Sequence, residues 1–195
     1  MKFSYWGAGI LAVVLTSTLG SNPVFASQPL MVATEYMQKN DSDSIKVENL
    51  AKELKKLKPI SSDDFKSKFK KEISGFKLTE VTAFEDKETG SYATANYAKG
   101  SKNVYLMVTD GAGAGAEQVK GNLLSYLELK AVEEPGDKTN IKNYKGWLVY
   151  FDHSMYENDK MTSIQYLEGN RYSVVASGTN IPLDELKSLL DNISL

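Results

Sequence analysis

The stretch YATANYAKGSKNVYLMVTD, residues 92–110, decides the fold class of this chain. On either side of Gly100 and Ser101 the pattern has a period of two, which is typical of antiparallel strands joined by a tight turn. Val104 to Val108 is apolar at every position, which predicts that this strand is covered on both faces. A third run with the same period precedes the stretch, so we predict three antiparallel strands, over residues 76–85, 91–98 and 102–109.

Helical patterns lie upstream of this block. Apolar residues at helical spacing over 45–73 predict a pair of helices. Ser61 is placed to cap the second of them, with an acidic residue three positions later. Phe65, Phe69 and Ile73 would form the buried stripe of that second helix, which should end at a glycine soon afterwards.

A similar order of patterns follows downstream. Val119 and Leu123 recur at helical spacing and predict a helix over 115–130. A terminal helix should start near Pro182, because proline fits the first helical turn. Between these two helices the period returns to two, which predicts strands over residues 138–143, 146–152, 160–168 and 171–177.

Together these patterns predict a single α+β domain over residues 45–195, in which residues 76–195 form a mainly antiparallel sheet with helices on both faces. Both halves of the sheet region show the same order of strand, tight turn, strand, loop and helix. That order indicates pseudo-duplicated β-β-α units. Two hairpins followed by helices also arise by chance, so both interpretations stay open.

The first 26 residues have the features of a secretory signal peptide. A basic residue is followed by a short apolar run and then by small residues ending at Ala26. The run is too short for a membrane span, which needs about 20 apolar residues. We therefore predict cleavage between Ala26 and Ser27, a periplasmic or secreted location, and no stable membrane span after cleavage. Residues 27–44 have no clear period and are predicted to be a flexible tether.

Composition excludes several classes of function. The 23 basic and 25 acidic residues give a net charge of −2, which does not favour nucleic acid as a partner. The absence of cysteine excludes disulfides, thiolate metal sites and a cysteine nucleophile. One histidine without cysteine cannot form the usual zinc site, and the acidic residues lack EF-hand spacing. We therefore name no metal ligand.

Residues 110–116, DGAGAGA, formally fit a dinucleotide fingerprint through Gly111, Gly113 and Ala116. A true fingerprint lies in a βαβ unit, whereas the strand before this loop belongs to an antiparallel meander. We therefore predict a packing role, in which Gly111, Gly113 and Gly115 take positive φ and let the next helix approach the sheet. No nucleotide or other cofactor is expected.

The adjacent residues Asp152, His153 and Ser154 contain the residue types of a hydrolase triad. Neighbours in a strand or loop point in different directions, whereas a working triad assembles from separate positions. No Gly-x-Ser-x-Gly elbow exists to supply a serine nucleophile. We therefore expect His153 to be an exposed loop residue, and we name no catalytic residue.

Aromatic residues gather around the predicted loop 152–159. Trp147, Tyr150, Phe151 and Tyr156 flank it or lie in it. Aromatic side chains on strands commonly belong to the core, but loops on a rigid scaffold often carry binding function. Trp147, Tyr150 and Tyr156 are therefore the candidate residues for binding a ligand or partner.

The segment 92–110, together with YKGW at 144–147 and GNRYSV at 169–174, resembles uncharacterised bacterial exported proteins. In these proteins a strand bearing Ala-x-x-Tyr leads into an alternating strand that ends in Thr-Asp. A late strand after an arginine-containing turn then precedes a terminal helix. The resemblance covers residues 76–195 and implies an exported domain, with no activity attached.

Two functions remain open from the sequence. The first is an exported, non-catalytic binding or interaction module for a protein or small molecule outside the cytoplasm. The second is an exported hydrolase that uses carboxylates we cannot name. Acids with raised pKa values in a deep pocket would favour the hydrolase, whereas a shallow aromatic surface would favour the binding module.

Overall fold

The computed structural model describes residues 29–195 except residues 135 and 138, with side chains from residue 42 onward. The chain divides into two units, residues 1–36 and 37–195, and the described part of the first unit is helical. The predicted signal peptide and its cleavage site between Ala26 and Ser27 lie outside the described residues. Within the described residues, no helix is long and apolar enough to cross a bilayer.

The described chain contains five α-helices and eight β-strands, and a short 3-10 turn at Gly113–Gly115 precedes the third helix. In chain order the elements are α1 (Pro29–Leu54), α2 (Ser62–Ser67), β1 (Glu72–Ile73), β2 (Phe76–Phe84), β3 (Tyr92–Lys99), β4 (Lys102–Asp110), α3 (Ala116–Ala131), β5 (Thr139–Tyr144), β6 (Trp147–Asp152), α4 (Tyr156–Asp159), β7 (Met161–Glu168), β8 (Tyr172–Thr179) and α5 (Leu183–Leu190).

All eight strands form one antiparallel sheet in the order β1-β2-β3-β4-β8-β7-β6-β5. The central pair joins β4 to β8, from Asn103 opposite Thr179 to Asp110 opposite Tyr172. Each strand of this pair is the last strand of a four-stranded meander, β1 to β4 or β5 to β8, and each meander is followed in the chain by a helix. The α+β class with a mainly antiparallel sheet is therefore confirmed. The order of strand, tight turn, strand, loop and helix occurs in both halves, whereas a duplication of β-β-α units stays a prediction.

Two clusters of buried side chains pack on this sheet. The first contains side chains of α2 and α5, including Phe65, and the second contains side chains of α1 and α3, including Leu123. In β7, Tyr166 belongs to the first cluster and Leu167 to the second. Successive residues of a strand point to opposite faces. This alternation is compatible with the predicted helices on both faces of the sheet, which stays a prediction.

The second predicted helix is shorter than expected. Ser61 caps α2, and its side chain accepts the backbone N–H of Asp64, but the helix ends at Ser67. Phe69 and Ile73 are buried as predicted, yet Ile73 lies in β1 rather than in a helix. The reason is a tight turn at Ser74 and Gly75, whose φ values of 52° and 79° suit a two-residue β-hairpin.

The predicted tether over residues 27–44 is corrected for residues 29–44, because α1 begins at Pro29 and runs to Leu54. Proline is well suited to the first helical turn. The residues after it include Leu, Met, Ala, Glu, Gln and Lys, which are good helix formers. Extending an existing helix costs far less than nucleating one, so these residues continue the amphipathic segment that begins at Ile45.

Only one face of β4 is fully covered, which corrects the expectation of two. Val104, Leu106 and Val108 are buried in the first cluster, whereas Tyr105 and Met107 are exposed. The reason is the position of α3, which packs on β5 and β6 rather than over β4.

Candidate binding surface

The only arginine of the chain forms a buried ion pair at the end of β4. Asp110 is fully buried and accepts hydrogen bonds from Nε of Arg171 at 2.7 Å and from Nη2 at 2.8 Å. The same carboxylate accepts the backbone N–H of Ile60 at 2.8 Å and of Ala112 at 3.0 Å. Arg171 also donates to the carbonyl oxygen of Lys58 at 3.1 Å. Four donors saturate the carboxylate, so this pair is a structural junction.

The space beside Gly111 and Gly115, in the loop after β4, is occupied by backbone atoms of other residues. A Cβ atom at Gly115 would lie 2.0 Å from the carbonyl oxygen of Asp110, and one at Gly111 would lie 2.5 Å from the carbonyl oxygen of Arg171. Only Gly113 has a positive φ, of 61°, so the expectation of positive φ at Gly111 and Gly115 is wrong. Close backbone approach is the reason for those two glycines. This geometry is that of a packing device.

His153 is half-buried rather than exposed as expected. Its Nδ1 atom is buried and has no hydrogen-bond partner among the described residues. The neighbouring Asp152 carboxylate accepts the backbone N–H of Ser154 at 2.8 Å. These three residues therefore lack the ordered chain of hydrogen bonds that a triad requires. Among the described residues, no three His, Asp or Glu side chains are grouped as a metal site requires.

Among the side chains that the structure describes, the carboxyl groups with displaced pKa values are all shifted downward. Hydrogen bonds from the backbone N–H groups of Glu88 and Thr89 lower the pKa of Asp86. The Lys55 ammonium lowers that of Glu117, and the Lys130 ammonium lowers that of Glu133. A general acid at neutral pH needs a raised pKa. None of these three carboxyl groups meets that requirement.

A second polar cluster holds the end of α5 against the turn between β5 and β6. The hydroxyl of Tyr144 donates to Asp191 at 2.7 Å, and this bond is the main cause of the lowered pKa of Asp191. The Lys145 ammonium forms an ion pair with Glu168 and donates to the carbonyl oxygen of Leu190 at 3.1 Å. A cation at a helix C-terminus is stabilising. This cluster fixes α5, and its groups pair with one another.

Trp147, the first predicted binding residue, is largely buried, with 7% of its surface exposed. Its indole N–H donates to Asn170 Oδ1 at 2.6 Å, and the Lys46 ammonium lies 3.9 Å from its ring centroid. The ring lines a small pocket between α1, α3 and the β5–β6 hairpin, with Leu123 among the apolar walls. The indole donor and one ring face are thus engaged by protein groups, and a binding role for Trp147 stays a prediction.

Tyr150 and Tyr156, the other predicted binding residues, do not join Trp147 at one site. Tyr150 is half-buried against the second cluster, and burial raises its pKa. It lines a different pocket, near the end of α3. Tyr156 is half-buried in α4, with the Lys160 ammonium 5.4 Å from its ring. The three predicted residues are thus brought to three separate places.

Strand register brings together a different set of aromatic and polar residues. Phe84 is opposite Tyr92, Thr94 is opposite Met107, and Met107 is opposite Val175. All of these residues lie on the face of the sheet that the first cluster does not occupy. We call this set the open sheet face: Glu80, Thr82, Phe84, Tyr92, Thr94, Asn96, Tyr105, Met107, Ser163, Gln165, Val175 and Ser177.

Large apolar side chains are exposed on the open sheet face. The exposed fractions are 50% for Phe84, 37% for Tyr92, 40% for Tyr105 and 36% for Met107. The rings of Phe84 and Tyr92 stack with centroids 5.1 Å apart. With about 200 Å² for each aromatic side chain, the three aromatic residues alone expose roughly 250 Å². An exposed patch of several hundred Å² often marks an interaction site.

Polar groups between these side chains bond within the sheet. The hydroxyl oxygens of Thr82 and Thr94 are 2.7 Å apart, and the amide of Asn96 donates to Glu80 at 3.2 Å. Glu80 is the one charged residue of this set, in a chain with 25% charged residues. Lys77 lies on the same side of the sheet, opposite Ala98 and Glu72, at the β1 edge beyond the set. Within the set the surface is thus broad, aromatic and nearly uncharged.

Helix α3 borders this surface where β7 and β8 pass under it. Asn122 donates to the hydroxyl oxygen of Ser173 at 3.0 Å, and the hydroxyl of Tyr126 donates to Gln165 at 3.3 Å. Burial raises the pKa of Tyr126 to about 12. Leu129, further along the helix, is exposed. The helix therefore forms a raised rim beside a shallow surface.

No protein-family model, curated protein or solved structure matches this chain.

Proposed function

We propose that this chain is an exported, non-catalytic binding module and that the open sheet face docks a protein partner outside the cytoplasm. The observation that carries the proposal is the exposure of Phe84, Tyr92, Tyr105 and Met107 on one nearly uncharged surface. Cores of protein interfaces are enriched in aromatic residues and methionine and depleted in lysine and acidic residues. The open sheet face has this composition.

The shape of the surface also supports a protein rather than a small ligand. Small-molecule sites are concave and bury most of the ligand. The open sheet face spans five neighbouring strands, and with about 4.8 Å between strands it is roughly 20 Å wide. A standard interface buries about 800 Å² on each partner. A surface of this width, with the α3 rim beside it, is large enough for an interface of that area.

Export is the second part of the proposal, supported by the small residues that end at Ala26 behind a short apolar run. Intact-mass analysis of exported protein should give a chain that begins at Ser27. Exported material that retains Met1 would contradict the predicted cleavage.

Site-specific photo-crosslinking in the producing organism tests the docking surface. A photoreactive phenylalanine analogue is placed at Tyr105, and in a control at Gln118, which is exposed on α3 away from the sheet. We expect a discrete protein adduct from position 105 and none from position 118. The adduct should disappear in a Met107→Lys background, because a buried lysine without a partner disfavours docking.

A Gln118→Lys background is the matched control, since it adds the same charge outside the open sheet face. Thermal unfolding of both lysine variants checks that the fold is intact, which we expect because both positions are exposed. Equal adducts from positions 105 and 118, or no adduct from either, would overturn the proposed surface.

A further inference from the structure

Charge is unevenly distributed along this chain. Residues 45–77 contain ten lysines and five acidic residues, whereas residues 78–195 contain eleven basic and seventeen acidic residues. The near-zero net charge of the whole chain therefore conceals a basic segment and an acidic remainder. Segregated charge of this kind creates local potentials that the net charge does not reveal.

Six lysines of this basic segment and its neighbour β3 lie on or between α2, β2 and β3: Lys68 and Lys70 line one groove with Tyr97, and Lys77 is paired with Ala98, next to Lys99. We call them the basic corner: Lys66, Lys68, Lys70, Lys71, Lys77 and Lys99. The Lys70 ammonium donates to the carbonyl oxygen of Asn192 at 3.3 Å, and the Lys99 ammonium donates to that of Ser74 at 3.2 Å. Asn192 and Ser74 also contact each other, at 3.4 Å. The ammonium groups of Lys70 and Lys99 thus lie on either side of the contact between Asn192 and Ser74.

The fold holds the backbone of this corner rigidly. The hydroxyl of Tyr97 donates to the carbonyl oxygen of Lys70 at 2.9 Å, and burial raises the pKa of Tyr97 to about 12. The backbone N–H of Leu78 donates to the carbonyl oxygen of Lys71 at 2.9 Å. Lys77 lies opposite Glu72 in the β1–β2 pair. The lysines therefore project from fixed positions rather than from a flexible loop.

The positive charge of the basic corner is little compensated. Among the residues that the structure describes, no ion pair joins any of the six ammonium groups to a carboxylate. Glu72 lies within the corner, and Asp63 and Asp64 lie in the first turn of α2, one helical turn before Lys66 and Lys68. About three uncompensated charges remain on this surface.

We propose that the basic corner binds a linear polymer of closely spaced phosphate groups. Spread ammonium groups on a surface suit a ligand with many charges, because each neutralised phosphate releases condensed counterions and adds to affinity. A membrane surface is a poorer fit, because membrane-binding segments insert apolar side chains into the bilayer. In the described segments 62–77 and 92–99, the only exposed large apolar residue is Tyr92, which belongs to the open sheet face. This inference is independent of the open sheet face.

Binding of fluorescent inorganic polyphosphate to the intact protein tests the proposal. We expect affinity at low salt that falls steeply as salt is added. A Lys70→Gln/Lys71→Gln variant should bind at least tenfold more weakly. Its slope of log K against log salt should be shallower by about 1.4 to 2, because two phosphate contacts are lost.

The matched control is Lys87→Gln/Lys142→Gln, which removes the same charge at two exposed positions outside the corner. Affinity within twofold of wild type is expected for this control. Equal weakening in both double variants, or no polyphosphate binding at low salt, would overturn the proposal. So would competition by inorganic phosphate at equal phosphate concentration, which would indicate a site for a single anion. Binding to phosphatidylglycerol vesicles without binding to polyphosphate would show that the corner serves a membrane instead.

Discussion

Replacing Arg171 with methionine should destabilise this protein more than any exposed charge change. Methionine keeps most of the side-chain length but removes the two guanidinium N–H groups that bind Asp110 at 2.7 and 2.8 Å. The Asp110 carboxylate is fully buried, so it would be left with only the backbone N–H groups of Ile60 and Ala112 as donors. Removing one partner of a buried ion pair costs about 3–5 kcal/mol.

The loss should fall toward the lower part of that range, because Arg171 is one quarter exposed and the two backbone donors remain. Urea unfolding at neutral pH, followed by far-UV circular dichroism, gives the free energy of unfolding. The denaturant slope m should be unchanged, because the surface exposed on unfolding is nearly the same. Lys56→Met is the matched control, since Lys56 pairs with Glu53 on an exposed surface and should cost at most about 0.5 kcal/mol.

Asp110→Asn, measured in the same assay, tests whether the two side chains act as one pair. Asparagine removes the buried charge, so the double variant Asp110→Asn/Arg171→Met should lose less than the two single variants together. If Arg171→Met unfolds with a free energy within about 0.5 kcal/mol of wild type, the assignment of this pair as the main junction is refuted.

Three smaller predictions use the same unfolding assay. Gly115→Ala should lower the free energy of unfolding by about 1–3 kcal/mol, because its Cβ would lie 2.0 Å from a carbonyl oxygen. Gly121→Ala, on the open surface of α3, should raise it by about 0.5–1 kcal/mol. Equal effects of the two changes would contradict the packing role of the loop. Because its pKa is lowered in the folded state, Asp191 adds stability that is complete above about pH 4 and is lost as the pH falls through the folded-state pKa. Tyr144→Phe should therefore reduce the loss of stability between about pH 6 and pH 2.5. An unchanged dependence of the unfolding free energy on pH would contradict this role of Tyr144. His153→Ala should change the free energy of unfolding by less than about 0.5 kcal/mol, since Nδ1 has no described partner to lose, and a loss above 1.5 kcal/mol would show that the ring is a core residue.

The strands could be predicted from the sequence because their alternation is local. The predicted run 102–109 differs from β4 by a single residue, and the predicted run 146–152 differs from β6 likewise. Phe69 and Ile73 show where local reasoning fails. Both are buried at helical spacing, but a tight turn after Ile73 returns the chain as a hairpin, and burial alone does not distinguish these two cases.

The candidate surface could not be predicted, because it depends on pairing between distant strands. Tyr105 and Met107 belong to an apolar run, which predicted that both faces of β4 are covered. They are exposed because α3 packs on β5 and β6 instead of over β4. The contact of Asp110 with Arg171 joins residues 61 positions apart. The signal available for that pair was a lone arginine after a tight turn, which by itself names no partner.

The mirror-like strand order has a consequence for how the chain folds. Each outer meander is built from neighbouring segments, whereas the central pair joins residues 62 to 76 positions apart. Pairing across such a separation has a high loop-closure entropy and is intrinsically slow. Until β8 arrives, β4 presents an unpaired edge with Tyr105 and Met107 beside it, and such edges template aggregation. A nascent chain halted before β8 would therefore be the most aggregation-prone species of this protein, and a chaperone that shields β4 would raise its yield more than one that acts on the helices.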